Sequence, residues 1–223
     1  MFGTLFNTLT VAMGAGIGLA LRQRVPEELR TVVFSAIGLF TLYIGVDLMA
    51  DIHTPVAVFV ALVVGAAIGH AVGVDRRIRT AADKLGSGTG AALVQSTLLF
   101  CVGAMTLVGC MRDGLENDPT ILYAKGTMDL ISSVFLAAAL GRGVLYSAGA
   151  VLLIQGALTL AFATLGAGIP ESMVSELSGL GGILLFGLGL DLLGIRRFPL
   201  LDLSIALPVL PVILWLIEIS NNS

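Results

Sequence analysis

The chain has 223 residues, of which 57% are hydrophobic and only 12% charged, and its net charge is −3. A soluble domain carries about a quarter charged residues, so the composition excludes an ordinary soluble protein and points to the membrane. The small net charge and the lack of a basic run leave nothing to hold nucleic acid.

Eight apolar segments follow in chain order. The first, Phe2–Leu21, precedes the first basic residue, Arg22, so it lacks the positive start of a signal peptide and reads as a retained first helix. It carries the amide Asn7 and a GxxxG face at Gly14 and Gly18, which suits close helix packing. The second is Thr31–Ala50, ending near Asp47. The third, Thr54–Val74, has a second GxxxG face at Gly65 and Gly69. A charged, amphipathic connector leads to "GSGTG" at 86–90, read as a flexible linker.

The fourth segment, Ala91–Cys110, contains Gln95. Cys101 and Cys110 are nine residues apart, on opposite sides of one helix, so they cannot pair and are read as packing thiols. The "RDGLENDP" stretch, 112–119, is oxygen-rich but lacks cation-loop spacing, and reads as an outer loop with capped turns.

The fifth segment, Ile121–Leu140, opens with two charges one turn apart, Lys125 and Asp129, and continues the same side with Ser132 and Ser133. Charges inside a span are expensive and usually face a bundle interior or water. The four residues read either as a polar track or as an interfacial ion pair with Lys125 reaching for headgroups. The sixth segment, Gly143–Gly168, puts Gln155 about 18 Å along its helix, near the midplane. Asn7, Gln95 and Gln155 serve either substrate or ion coordination or interhelical hydrogen bonding.

The seventh segment, Ser175–Leu193, clusters Gly179, Gly181 and Gly182, which suit either a helix break lining a cavity or close packing. It ends near Asp191. The eighth, Leu200–Leu216, holds Asp202, Pro208 and Pro211, and the prolines predict a kink or partial insertion.

Lys and Arg are divided unevenly between the connectors. Ten fall on one side and two, Arg112 and Lys125, on the other. The positive-inside rule therefore predicts a cytoplasmic first connector and an N-terminus outside.

An internal repeat accompanies this. Gly38, Gly45 and Asp47 match Gly182, Gly189 and Asp191, each 144 residues later, and Pro26-Glu27 matches Pro170-Glu171 at the same separation. Five segments lie between the copies, so they cross in opposite directions. Inverted repeats are a mark of many secondary transporters, though some channels have them too. Asp47 and Asp191 would then lie near opposite faces, as paired gates or as helix-end charges.

The stretches "LLFCVGAMTLVGCMRDGL" (98–115), "LYAKGTMDLISS" (122–133), "GRGVLYSAG" (141–149) and "LIQGALTL" (153–160) carry a recognisable pattern. With "GTLFNTLTVAMGAGIG" (3–18) and "GLGGILLFGLGLDLLGI" (179–195), the chain resembles the DUF554 family of bacterial inner-membrane proteins. The resemblance implies an integral, multi-span protein of the bacterial inner membrane and supplies no substrate. Positions matching the pattern include Asn7, Phe100, Cys101, Gly103, Asp113, Gly114, Lys125, Asp129 and Gln155.

The sequence thus predicts an all-α membrane bundle of seven to eight helices in one domain. A first half over 1–85, the linker at 86–90, a central pair over 91–142 and a second half over 143–223 make it up. The function expected is transport of an ion or small polar solute by alternating access, with a passive channel or a non-transporting structural or signalling protein as alternatives. The pathway is assigned to Asp129, Lys125, Gln155, Asn7, Gln95, Ser132 and Ser133. No phosphate loop, HExxH or GxSxG motif occurs, and His53 and His70 stand alone, so no enzyme, cofactor or metal centre is expected. The partners expected are the bilayer and the solute, and the pattern also allows a homo-oligomer.

Overall fold

The computed structural model describes residues 1–22, 26–84, 86, 88–102, 104–165 and 170–221. Arg24, Ser87, Gly103 and Gly168 of the sequence reading lie outside the described residues, as do the side chains of Arg30 and Arg79. The described residues form eleven helices: α1 (Phe2–Leu21), α2 (Glu27–Met49), α3 (Pro55–Val72), α4 (Val74–Asp83), α5 (Thr89–Cys101), α6 (Ala104–Leu115), α7 (Thr120–Leu140), α8 (Gly143–Leu165), α9 (Glu171–Leu192), α10 (Leu200–Leu203) and α11 (Ala206–Asn221).

Six are long and apolar enough to cross a bilayer: α1, α3, α7, α8, α9 and the α10–α11 unit from Leu200 to Ile217. The α5–α6 pair, bent by 63°, makes a seventh if it counts as one span. Helix α2 contributes a shorter apolar stretch, Ser35–Met49. Large apolar side chains cover the outside, with Phe2, Val56 and Leu153 each at least 74% exposed. A continuous apolar exterior of this kind is a lipid-facing surface.

Local chemistry sets the helix ends. Pro26 and Pro170 precede α2 and α9 with nearly the same backbone, φ −58° and ψ 147° against φ −55° and ψ 144°. Proline fixes φ, lacks an N–H and is tolerated where a helix starts. Helix α3 stops at Gly73, whose φ of 69° is left-handed, so the chain can turn into α4. Before α7, Asp118 accepts from the Thr120 N–H at 3.0 Å and from its hydroxyl. Those two bonds and Arg112 hold its carboxyl below the usual carboxylate range. A lowered carboxyl stabilises the fold above its unfolded pKa, and that contribution is lost as pH falls through the folded value.

The helices gather into two packs. Helices α1, α5, α6, α7 and α8 make one, and α2, α3, α9, α10 and α11 the other; α4 packs mainly on α5, α2 touches α7, and α9 meets α5 and α6 about as closely as it meets α3, α10 and α11, with Leu98 and Leu188 in a shared core. The first has its core at Val11, Ala15, Phe100, Ala137, Val144 and Val151. The second is built on Ala57, Ala61, Leu180, Ala206 and Leu210.

Helix α1 runs parallel to α7 in very close contact. A Cβ at Gly14 would lie 2.4 Å from Leu130 O, and one at Gly18 2.2 Å from Val134 O. Helix α2 runs antiparallel to α9: Gly38 faces Leu193 and Gly189, while Gly45 faces Gly182 and Phe186. Gly179 and Gly182 thus serve close packing, and α9 continues through them without a break. Gly65 and Gly69 sit against Ala206 and Asp202.

Glu176 ties α9 to α3. Its Oε1 accepts the backbone N–H groups of His53 at 2.9 Å and Thr54 at 2.7 Å, just ahead of the first turn of α3. Glu176→Ala would leave both donors without that acceptor, at a cost of about 1–3 kcal/mol. Thermal unfolding in detergent should show the loss, and Glu176→Gln, which keeps an acceptor, should recover most of it.

Candidate functional site

The fourth apolar segment is not one helix. Its first part ends at Cys101, where Val102 is extended (φ −92°, ψ 131°), and a second helix starts at Ala104. Such an interruption frees backbone groups at membrane depth and is tolerated where protein or a cavity surrounds it. Here the Thr106 hydroxyl donates to Phe100 O at 3.3 Å, and Val102 N to Leu98 O at 3.0 Å.

A cavity of about 660 Å³ lies beside the break, between the two helix packs. Its walls come from α2 (Phe40, Thr41, Ile44), the break (Phe100, Val102, Thr106), α7 (Lys125, Asp129, Ser132) and α9 (Leu185). Most of the lining is apolar, so the charged pair dominates its chemistry.

That pair sits on α7. Lys125 Nζ donates to Asp129 Oδ2, and the residues are only 6% and 8% exposed. Lys125 therefore stays inside rather than reaching outward. Placement one turn apart on one helix explains the contact, and burial changes its weight. In a low dielectric an ion pair must offset its own desolvation, so removing either partner leaves a costly lone charge.

Beside α7, a polar column joins α1 to α8. Thr4 and Thr159 hydroxyls are 3.1 Å apart, Asn7 Nδ2 donates to Gln155 Oε1 at 3.2 Å, and Cys110 Sγ lies 3.6 Å from Gln155 O. Asn7 and Gln155 are wholly buried. Among the described residues, Asn7 Oδ1 and Gln155 Nε2 have no hydrogen-bond partner. Asn7 also lies within interaction range of Asp129. Two orphaned, buried amide atoms are the sort of groups a bound solute or water satisfies.

The other predicted positions divide. Ser132 lines the cavity, half-buried. Ser133 is buried against Gly14, with its hydroxyl on Leu130 O at 2.9 Å. Gln95 pairs with Asp191 at 3.0 Å, away from Lys125 and Asp129. Asp47 is exposed, whereas its sequence mate Asp191 is buried. The sequence reading missed Thr41 and Thr106, isolated hydroxyls in apolar runs, and Glu176, whose partners lie 122 and 123 residues away. Among the described residues, no three His, Cys, Asp or Glu side chains are placed to hold a metal ion.

Comparison with known proteins fits this architecture. The chain is 29% identical over 223 residues to the "Uncharacterized membrane protein YdfK" of Bacillus subtilis, covering 98% of this chain and 97% of the relative. It is 30% identical over 219 residues to the "Uncharacterized protein YqgA" of Escherichia coli, covering 93% of each. A shorter match, 28% over 115 residues, is to the "Putative manganese efflux pump MntP" of Pelotomaculum thermopropionicum, covering 47% of this chain and 64% of that one. No solved structure matches. The family model described as "Protein of unknown function (DUF554)" spans residues 2–215. With that match over nearly its whole length, this multi-pass membrane protein belongs to the DUF554 family.

Proposed function

We propose that the protein is a secondary transporter of a small cation, or of a small polar solute carrying one, working by alternating access around the Lys125–Asp129 cavity. The observation that carries this is a buried carboxylate with a tethered ammonium, set in a 660 Å³ cavity at an interrupted helix. Discontinuous helices line the binding sites of many secondary transporters. The partial likeness to a protein named as a manganese efflux pump supports ion transport.

A cation arriving at Asp129 has to displace the ammonium of Lys125, because Asp129 Oδ2 already holds that proton donor. The pair thus acts as an internal competitor that keeps Asp129 neutralised between cargoes. Toward the other end, Leu185 of the lining packs in one apolar layer with Leu98 and Leu188, all at most 4% exposed, and this layer is the leucine floor of the site. An apolar layer beneath the site suits alternating access better than an open channel.

The inverted repeat is part of this reading. Shifting by 144 residues carries the Gly38–Gly189 contact onto the Gly45–Gly182 contact with the partners exchanged. A two-fold axis between α2 and α9 would produce that exchange, and the matching proline starts of both helices agree with it. Because α2 lies along α9, we count it as a crossing, which makes eight with the bent pair.

The orientation follows from the ten-to-two bias of Lys and Arg, and sets the N-terminus outside and α4 at the cytoplasmic face. In a Cys-free background, Arg79→Cys should resist an impermeant thiol reagent in intact cells and react after permeabilisation. Labelling in intact cells reverses the orientation.

Function is tested with purified protein in liposomes, using Mn²⁺ and Na⁺ in turn under an imposed proton or Na⁺ gradient. Accumulation beyond equilibrium is expected. Downhill flux alone makes the protein a channel, and flux no greater than in empty liposomes removes both readings.

A further inference from the structure

Beyond the leucine floor the bundle turns polar again. Leu99 and Leu185 line the cavity. Gln95 stands four residues before Leu99 on α5, and Asp191 six residues after Leu185 on α9, distances of about 6 and 9 Å along the helices. The two side chains meet there. Gln95 Nε2 donates to Asp191 Oδ2 at 3.0 Å, and both residues are only 8% exposed. Among the described residues, Gln95 Oε1 has no hydrogen-bond partner. Arg197, in the turn after α9, brings Nε to 3.8 Å from Asp191 Oδ1, although its side chain is 88% exposed.

These groups are mismatched for a purely structural role. A buried carboxylate is met on one side by a neutral amide and on the other by a guanidinium lying mostly in solvent. A direct, buried bidentate pair would hold Asp191 far better. An amide oxygen that has shed its water without gaining a donor is a cost the bundle carries. Both features resolve if a cation visits. A hard cation takes carboxylate and amide oxygens as ligands, and an exposed arginine can swing away to admit it.

We infer that Asp191 and Gln95 form a second station for a hard cation, one leucine layer beyond Asp129, and that Arg197 is the tethered cation that covers it between passages. This rests on the reading of the cavity as a transport site. The device repeats the one in the cavity: a carboxylate covered by a basic side chain of the same chain. Lys125 is the buried cover and Arg197 the exposed one, so the second station is the one that opens directly to water.

The station can be tested by binding alone. Mn²⁺ is added to the purified full chain in detergent, and unbound metal is counted from its paramagnetic resonance signal. Arg197→Gln removes the covering charge, and Mn²⁺ binding at one site should tighten by roughly two- to fivefold, the worth of an exposed ion pair. Adding Asp191→Asn or Gln95→Leu should abolish that gain, whereas adding Asp129→Asn should leave it. Gln95→Leu keeps the test decisive if Asp191→Asn fails to fold. An unchanged binding curve in Arg197→Gln, or a gain that survives both second substitutions, overturns the station, whatever flux the cavity supports. A gain that depends on Asp191, in a protein whose flux ignores Asp129, upholds the station and removes the cavity reading instead.

Discussion

Asp129→Asn is expected to insert normally, to lose stability, and to move its cargo roughly 10- to 150-fold more slowly. The flux figure is what one hydrogen bond or ligand contact to a charged group is worth, about 1.5–3 kcal/mol. Asn keeps the shape of Asp and removes the charge that a cation would meet. The stability loss has a separate cause. Lys125 is only 6% exposed, and its partner is gone. Breaking a buried pair by removing one member costs about 3–5 kcal/mol. The double variant Lys125→Gln/Asp129→Asn removes the orphaned charge as well, so it should melt close to the wild type while staying inactive. Flux in liposomes and melting in detergent measure the two effects separately. If Asp129→Asn transports at the normal rate with normal ion dependence, Asp129 leaves the mechanism, and the Asn7–Gln155 pair becomes the remaining candidate.

Gly14→Val should prevent α1 from docking on α7. A Cβ at Gly14 would lie 2.0 Å from Ser133 Oγ and 2.4 Å from Leu130 O. The hydroxyl can rotate, but the carbonyl belongs to the backbone of α7. Overpacking a core typically costs about 1–3 kcal/mol, and a clash with backbone goes to the top of that range or past it. A displaced α1 also strains its bonds to α8, from Asn7 to Gln155 and between Thr4 and Thr159. The expected result is a chain that enters the membrane but aggregates on extraction. Gly16→Val is the control: Gly16 faces outward, and a Cβ there meets nothing within 4 Å. A monodisperse Gly14→Val protein with wild-type melting would show that the seam is looser than described.

The apolar segments and the two GxxxG faces were legible because hydropathy and small-residue spacing are local signals. So was the inward placement of Asp129, since a charge inside an apolar run must find company. The break in the fourth segment was not. Nothing between Cys101 and Ala104 differs in composition from its surroundings, whereas the glycine cluster at 179–182 suits an interruption and close packing equally. Those glycines went instead to close contact with α2, a choice that only the neighbouring helix could make. Gln95 and Asp191 were each singled out, yet their union across 96 residues has no local trace. Pairing across such distances is decided by how the two helix packs meet.

The amide bond between Asn7 and Gln155 joins residues 148 apart in the chain. At a synthesis rate of about 5–20 residues per second, Gln155 leaves the ribosome roughly 7–30 s after Asn7. Helix α7, which fills the glycine face of α1, is also made after more than half of the chain. Until α7 emerges the glycine face of α1 lacks the surface it packs on, and until α8 emerges Asn7 and Thr4 lack Gln155 and Thr159. The first helix of this protein is therefore among the last to be finished, because its buried contacts are complete only once α8 has been delivered to the membrane.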